Sequence, residues 1–162
     1  MEFIKKYIFV FIISMIPLIE LRGAIPYAIG FNLPLLPSYI VAIIGNMIPV
    51  PFIFFFARKV LNWGKDVSFK PFAKFCNFCI EKGLKGKKAL LKKSDKGIYI
   101  ALLLFVGIPL PGTGAWTGTL AASFLDLDFK KSCVAVCLGV ILAGIIMGLL
   151  SGGIFGAIKL VG

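Results

Sequence analysis

The sequence predicts an all-α integral membrane protein, an inverted repeat of a re-entrant helical hairpin plus a transmembrane helix. A basic amphipathic cytoplasmic helical linker joins the two halves. Three observations predict this. The chain is 59% hydrophobic and only 15% charged, whereas soluble domains are about 45–50% apolar and about 25% charged. Two apolar stretches, Ile16-Pro17-Leu18-Ile19-Glu20-Leu21-Arg22-Gly23-Ala24-Ile25-Pro26 and Ile108-Pro109-Leu110-Pro111-Gly112-Thr113-Gly114-Ala115-Trp116, are interrupted by proline and glycine. Between them lies one strongly basic segment.

Residues 3–33 form the first hairpin. The uncharged run Tyr7 to Ile19 holds 13 residues, which as helix reaches about 20 Å against a hydrocarbon core of about 30 Å. It cannot cross alone. Met1-Glu2-Phe3-Ile4-Lys5-Lys6 resembles the start of a secretory signal, but no small-residue cleavage site follows. The cluster Asn32-Leu33-Pro34-Leu35-Leu36-Pro37 marks a turn. Residues 35–57 then form a transmembrane helix, in which Ser38 to Ala57 alone supply 20 residues. Residues 58–97 are the linker and 98–125 the second hairpin, cut by Pro109 to Gly114 into two short arms. Residues 132–159 are the second transmembrane helix; Ser132 to Ile158 give 27 uncharged residues.

Basic residues set the orientation. Arg58 to Lys96 hold 12 of the 18 Lys and Arg against 3 acids, a local charge of +9, so the linker is cytoplasmic. The first hairpin then dips in from outside and the second from inside, leaving Lys130 and Lys131 cytoplasmic. The two halves have opposite topology. Ile16-Pro17-Leu18 … Gly23-Ala24 against Ile108-Pro109-Leu110 … Gly114-Ala115 is the weak internal similarity that agrees with it.

In the linker, Phe72, Phe75, Cys76, Cys79 and Ile80 make an apolar helical stripe. Lys70, Lys74 and Lys82 take other faces, and Lys85, Lys87, Lys88, Lys92 and Lys93 follow. Such a segment lies on anionic headgroups at about 1 kcal/mol per charge. Membrane lipid is favoured over nucleic acid as its partner, because it tethers two membrane halves. Cys76/Cys79 and Cys133/Cys137 sit on apolar helical faces, as small buried hydrophobes do. With no histidine in the chain, no metal site or cofactor is expected. In the last helix Gly144, Gly148, Gly152 and Gly156 permit close helix contact, expected against a hairpin within the molecule.

Charge inside a membrane is costly and points to function, and paired Pro/Gly interruptions point to a binding site. Candidate substrate- and proton-binding residues are therefore Glu20 and Arg22 with Pro17, Gly23 and Pro26, and Pro109, Pro111, Gly112, Thr113, Gly114, Trp116 and Thr117. Glu20 and Arg22 could pair at the broken turn or point separately into a cavity. A carboxylate at that depth suits proton coupling, and the arginine fork suits a phosphate or other anion. Helix N-termini after Gly23 and Gly114 would aim positive dipole ends inward. Thr113 and Thr117 offer hydroxyls, and Trp116 a ring to enclose a ligand. The rival reading is a static ion pair that satisfies the broken backbone.

The two interrupted motifs, the second extended as Gly107 to Gly118, resemble the signatures of the putative small multidrug export protein family over nearly the whole chain. The layout is also similar to the DedA superfamily, whose members move lipids, including a polyprenyl phosphate carrier, and are linked to the proton gradient. DedA-type proteins place a glutamate in the first hairpin and arginines around the second proline; here Glu20 matches in kind, but Gly97 to Leu125 carry no charge. The resemblance implies an inner-membrane transporter of a small amphiphilic or lipid-like substrate, proton-coupled through Glu20, with Arg22 on the anionic part. The alternatives are a passive DedA-type lipid scramblase and, from another class, a non-transporting scaffold or stress factor acting through the linker. A homodimer is expected, since four membrane elements make a thin wall. No enzyme is expected: no Gly-x-Ser-x-Gly occurs, and Asp126 and Asp128 read as helix-end polarity.

Overall fold

The computed structural model describes residues 2–17, 19–64, 66, 70, 71, 74, 77, 81 and 95–161, and all regular structure among them is helical. The helices are α1 (Glu2–Met15), α2 (Glu20–Gly30), α3 (Leu35–Met47), α4 (Pro49–Gly64), α5 (Asp95–Gly107), α6 (Ala115–Phe124) and α7 (Phe129–Val161). At 14, 11, 13 and 10 residues, α1, α2, α5 and α6 reach only about 15–21 Å. Leu35–Gly64 and Phe129–Gly153 are the two stretches long and apolar enough to cross a membrane among the described residues.

The short helices fold back in pairs. The start of α1 lies against the end of α2: the Phe9 and Tyr27 rings stack 5.3 Å apart, and Lys6 Nζ stands 5.5 Å from the Phe31 ring. At the second pair, Tyr99 near the start of α5 accepts the N–H of Asp128, just beyond α6, at 3.3 Å. Gly118 of α6 leaves room for Val106 and Leu102 of α5.

The same turn closes both pairs. After α2, Leu33 N–H bonds the Ala28 carbonyl at 2.9 Å, with Asn32 left-handed at φ 54°. After α6, Leu127 N–H bonds the Ala122 carbonyl at 3.0 Å, with Asp126 at φ 51°. Asn and Asp tolerate this conformation better than other side chains, and the following leucine is buried in each case. The next helix then starts at Leu35 or Phe129, and each carries a buried serine in its first turn, Ser38 or Ser132. Further along, Gly45 of α3 admits the Phe11 carbonyl of α1, and Gly139 of α7 admits the Leu103 carbonyl of α5. Each glycine is a close helix crossing.

Long and short helices then exchange partners. α1 packs on α3 and α5 on α7, while α2 packs on α7 and α6 on α4. Ser123 of α6 donates to the Phe54 carbonyl of α4 at 2.8 Å, and Arg58 of α4 pairs with Asp126 at 2.6 Å. Tyr39 near the start of α3 donates to the Ile141 carbonyl of α7, and its ring fills the space at Gly144. Val10, Leu21, Ile25, Phe54, Val106, Val136 and Val140 form the core, while Phe3, Ile4, Phe52, Phe56 and Leu149 face outward. A bundle apolar on its outside as well as its inside suits lipid.

Three expectations are corrected. Residues 35–57 are not one unbroken helix: within the spanning stretch Leu35–Gly64 the regular helix is interrupted at Ile48, because Pro49 and Pro51 have no N–H for the carbonyls of Gly45 and Met47. Helix runs on through Arg58 to Gly64, the start of the segment read as a helical linker. α2 starts at Glu20, not after Gly23, whose N–H already bonds the Ile19 carbonyl at 3.1 Å. Of the glycines in α7, Gly144 meets α3 rather than a hairpin, while Gly148 and Gly152 face open space. The stripe Phe72, Phe75, Cys76, Cys79, Ile80 and the lysines from Lys82 to Lys93 lie outside the described residues. Cys133 and Cys137 are free and half-buried on α7.

Candidate functional site

The tips of the two helical pairs meet, and the contacts between them form the candidate site. Glu20 opens α2 at φ 51°, held by its N–H to the Ile16 carbonyl at 3.0 Å. This strained entry turns its side chain out of its own helix and into the other tip. The carboxylate accepts the N–H of Ala115 at 3.1 Å and of Trp116 at 3.0 Å, the first two residues of α6. A helix leaves its first N–H groups unpaired and carries partial positive charge there. Glu20 thus caps a helix from the far end of the sequence, and it is 4% exposed.

Gly114 makes room for this cap. Its φ of 136° disfavours a side chain, and an added Cβ would collide with the Glu20 carboxyl. Gly112, also left-handed at φ 82°, has open space where its Cβ would be. The two tip glycines therefore do different jobs, one for conformation and contact, the other for conformation alone.

Arg22 grips the other side of the same tip. Its guanidinium donates to the Leu110 carbonyl at 2.5 Å, the Ile108 carbonyl at 3.3 Å, the Val106 carbonyl at 3.4 Å and Thr113 Oγ1 at 2.7 Å. Thr113 Oγ1 lies 2.9 Å from the Ile108 carbonyl and 2.8 Å from that of Leu110. Val106 lies in the last turn of α5, whose carbonyls lack helical donors, while the tip carbonyls of Ile108 and Leu110 also accept the N–H of Leu110 at 2.8 Å and of Thr113 at 3.2 Å. No ion pair joins Glu20 to Arg22. The acid goes to the positive end of α6 and the base to the negative end of α5.

Trp116 completes the joint in the reverse direction. Its indole N–H donates at 3.2 Å to the carbonyl of Met15, the last residue of α1. Relative to the shared turns, Trp116 occupies in the second tip the place Arg22 holds in the first, and Gly114 the place of Glu20. Counted from the ends of α1 and α5, Ile16-Pro17-Leu18 and Ile108-Pro109-Leu110 stand opposite each other; counted from the turns, Gly23-Ala24 falls opposite Thr117-Gly118 and not Gly114-Ala115, because the second tip is the longer.

The remaining candidates have minor parts. Pro17, Pro111 and Gly112 are exposed turn residues, and Pro109 is half-buried. Thr117 reaches back to the Gly114 carbonyl at 3.4 Å. Gly23 lies against Ile19 in the first turn of α2, and Pro26 inside that helix leaves the Arg22 carbonyl without its helical donor. The grooves between α5 and α7, between α3 and α7, and beside α4 all lie away from the joint. Sequence reasoning missed the acceptor and donor groups themselves, which are main-chain atoms. It also missed Arg58, whose partner Asp126 read as helix-end polarity. Asp128 does fit that description, its carboxylate accepting the N–H of Lys131 at 2.9 Å.

Comparison with protein families matches residues 20–146 to the model described as "Putative small multi-drug export protein". The chain belongs to that family. Searches of the curated proteins and of the solved structures found no match.

Proposed function

We propose that this family member is a proton-coupled inner-membrane exporter of a small amphiphile, with two opposed re-entrant hairpins in inverted repeat meeting at the membrane midplane. One observation carries the reading. The only acid in the joint is bound by backbone N–H groups of the opposite hairpin, not by a cation. An ionised carboxylate accepts from both Ala115 and Trp116 with a full oxygen each; a protonated one keeps its carbonyl oxygen as acceptor but loses the negative charge that strengthens both bonds and leaves the weaker hydroxyl oxygen at the second N–H. Proton arrival then weakens the clasp between the hairpins, and proton departure restores it.

Arg22 in the clasped state serves the main chain of the second tip. When the tips part, its fork is released and takes the anionic group of the substrate, for which the carbonyls of Ile108 and Leu110 compete on closing. Export supplies the family-level expectation, and the apolar exterior with two spanning stretches supplies the membrane.

The test is Glu20→Gln in proteoliposomes loaded with a pH dye and given a panel of fluorescent amphiphiles. The expected result is a folded protein without proton-linked efflux; unchanged coupled efflux defeats the reading. A second reading, passive lipid scrambling, draws on the exposure of Ile16, Ile19, Ile108 and Leu110 around the joint. It requires lipid movement with a flat pH dependence.

A further inference from the structure

We propose that Asn46 is the hydrogen-bond partner of Glu20 in its protonated form, a proton-site residue that lies outside both hairpin motifs. Asn46 thereby belongs to the proton site proposed above, on which this assignment rests. In the clasp the Glu20 carboxylate meets two donors, the N–H groups of Ala115 and Trp116. A carboxylic acid brings a donor of its own and needs an acceptor for it. That acceptor has to lie at the same depth and have no other donor.

Asn46 meets both conditions. It is 2% exposed, and its side-chain oxygen has no hydrogen-bond donor among the described residues. Two sets of contacts bring it to the back of the joint. α4 and α6 run parallel, with Phe54 bonded to Ser123 and Arg58 to Asp126. About two turns back from Phe54 and Ser123 stand Asn46 and Ala115. Ile48 keeps helical dihedrals, φ −59° and ψ −45°, so α3 and α4 hold one direction through the interruption. From the other side, Gly45 lies against Ser14 of α1, and the next residue, Met15, accepts the Trp116 indole. The hydroxyls buried nearby are engaged: Ser14 donates to the Phe11 carbonyl at 2.7 Å and Thr119 to the Ala115 carbonyl at 2.5 Å.

Packing does not ask for an amide at this position. Counted from the shared turns at Asn32 and Asp126, the counterpart of Asn46 on α7 is Val140, equally buried, just as Gly45 answers to Gly139. The counterpart of Glu20 is Gly114. The half that carries the acid carries the amide, and the other half has neither. A buried oxygen without a donor is destabilising while Glu20 is clasped, and protonation of Glu20 is the event that supplies the donor. No other ionisable side chain competes for it. Arg22 is turned onto the Leu110 carbonyl and Thr113, and α6 has no ionisable residue. Those of α1 and α3, from Glu2 to Tyr7 and at Tyr39, lie near the helix starts, away from the joint. α7 carries Lys130, Lys131, Cys133 and Cys137 in its first three turns and Lys159 in its last.

The experiment is infrared difference spectroscopy of the full chain in lipid bilayers between alkaline and acid pH, with Glu20→Gln identifying the carbonyl band of protonated Glu20. Asn46→Leu, similar in size without polar atoms, should shift that band, because the acid loses its acceptor. It should also move the midpoint of the band's appearance by about one pH unit toward acid, since loss of the acceptor disfavours the protonated form. Thermal unfolding gives a second readout. Asn46→Leu should match or exceed the parent chain at alkaline pH, where the amide oxygen has no donor, and fall below it at acid pH. In Glu20→Gln, whose amide donates as the protonated acid does, Asn46→Leu should lower the melting temperature at both. An unmoved band and midpoint would overturn the proposal. So would equal destabilisation of the parent chain at both pH values, which a merely structural contact or a bound water would give. Efflux is read separately: a shifted band without proton-linked efflux removes the transport reading and keeps Asn46 as the partner of Glu20, whereas coupled efflux with an unmoved band does the reverse.

Discussion

The two tips carry the same backbone plan and opposite chemistry. The first supplies the charged side chains, Glu20 and Arg22; the second supplies main-chain donors and acceptors, the glycine that admits the carboxylate, and Trp116. Each pair closes with the same left-handed turn, at Asn32 or Asp126, and each following helix crosses its partner at a glycine, Gly45 or Gly139. What differs is confined to the meeting point. The difference makes the two tips complementary: two identical acids facing each other would repel, whereas an acid facing a glycine and a helix start is matched.

The comparison can be broken most severely at Gly114. Gly114→Ala should destabilise the protein by about 3 kcal/mol or more, since a left-handed φ alone costs about 1–3 kcal/mol and the Cβ also displaces the cap. Thermal unfolding in detergent reads it, at about 2–4 °C per kcal/mol for a chain of this size. Gly112→Ala, strained in φ but unobstructed, should lose only about 1–2 kcal/mol. Equal losses at the two glycines would remove the carboxylate clasp from the account.

Next comes Glu20→Gln. It keeps one acceptor and turns an amide against the other N–H, at about 2 kcal/mol for an unmet charge-assisted bond. Arg22→Ala should follow at about 2 kcal/mol and Trp116→Phe at about 1 kcal/mol, the order set by how many carbonyls each side chain serves. Urea titrations in mild detergent would rank them; a larger loss at Trp116 would mean that the first tip depends on the second more than the reverse. The smallest effect should come from Asp126→Asn. It weakens a pair that is 37% and 50% exposed, at about 1 kcal/mol or less after solvent screening.

The sequence made the periphery of this fold legible and hid its centre. Short arms, turn residues and charge asymmetry are local signals, and they led to the helical pairs around Pro17 and Pro109. The interruption at Ile48 was equally local, in Pro49-Val50-Pro51, but the length of the run alone decided its reading as a crossing helix. Glu20 and Arg22 stood out because charges are rare there. Their partners did not, because a backbone N–H at Ala115 or a carbonyl at Leu110 has no signature in residue type. Only Gly114 hinted at one, since a buried glycine beside a helix start is where another group can come close.

The most direct test of the opposed hairpins is sidedness. In a cysteine-free background, single cysteines at Lys5, Asn32, Lys96 and Asp128 would be labelled in intact cells with a membrane-impermeant thiol reagent. The account predicts that positions 5 and 32 react from outside, and that 96 and 128 react only after the membrane is opened. Labelling that places Lys5 and Asn32 on opposite faces would contradict it.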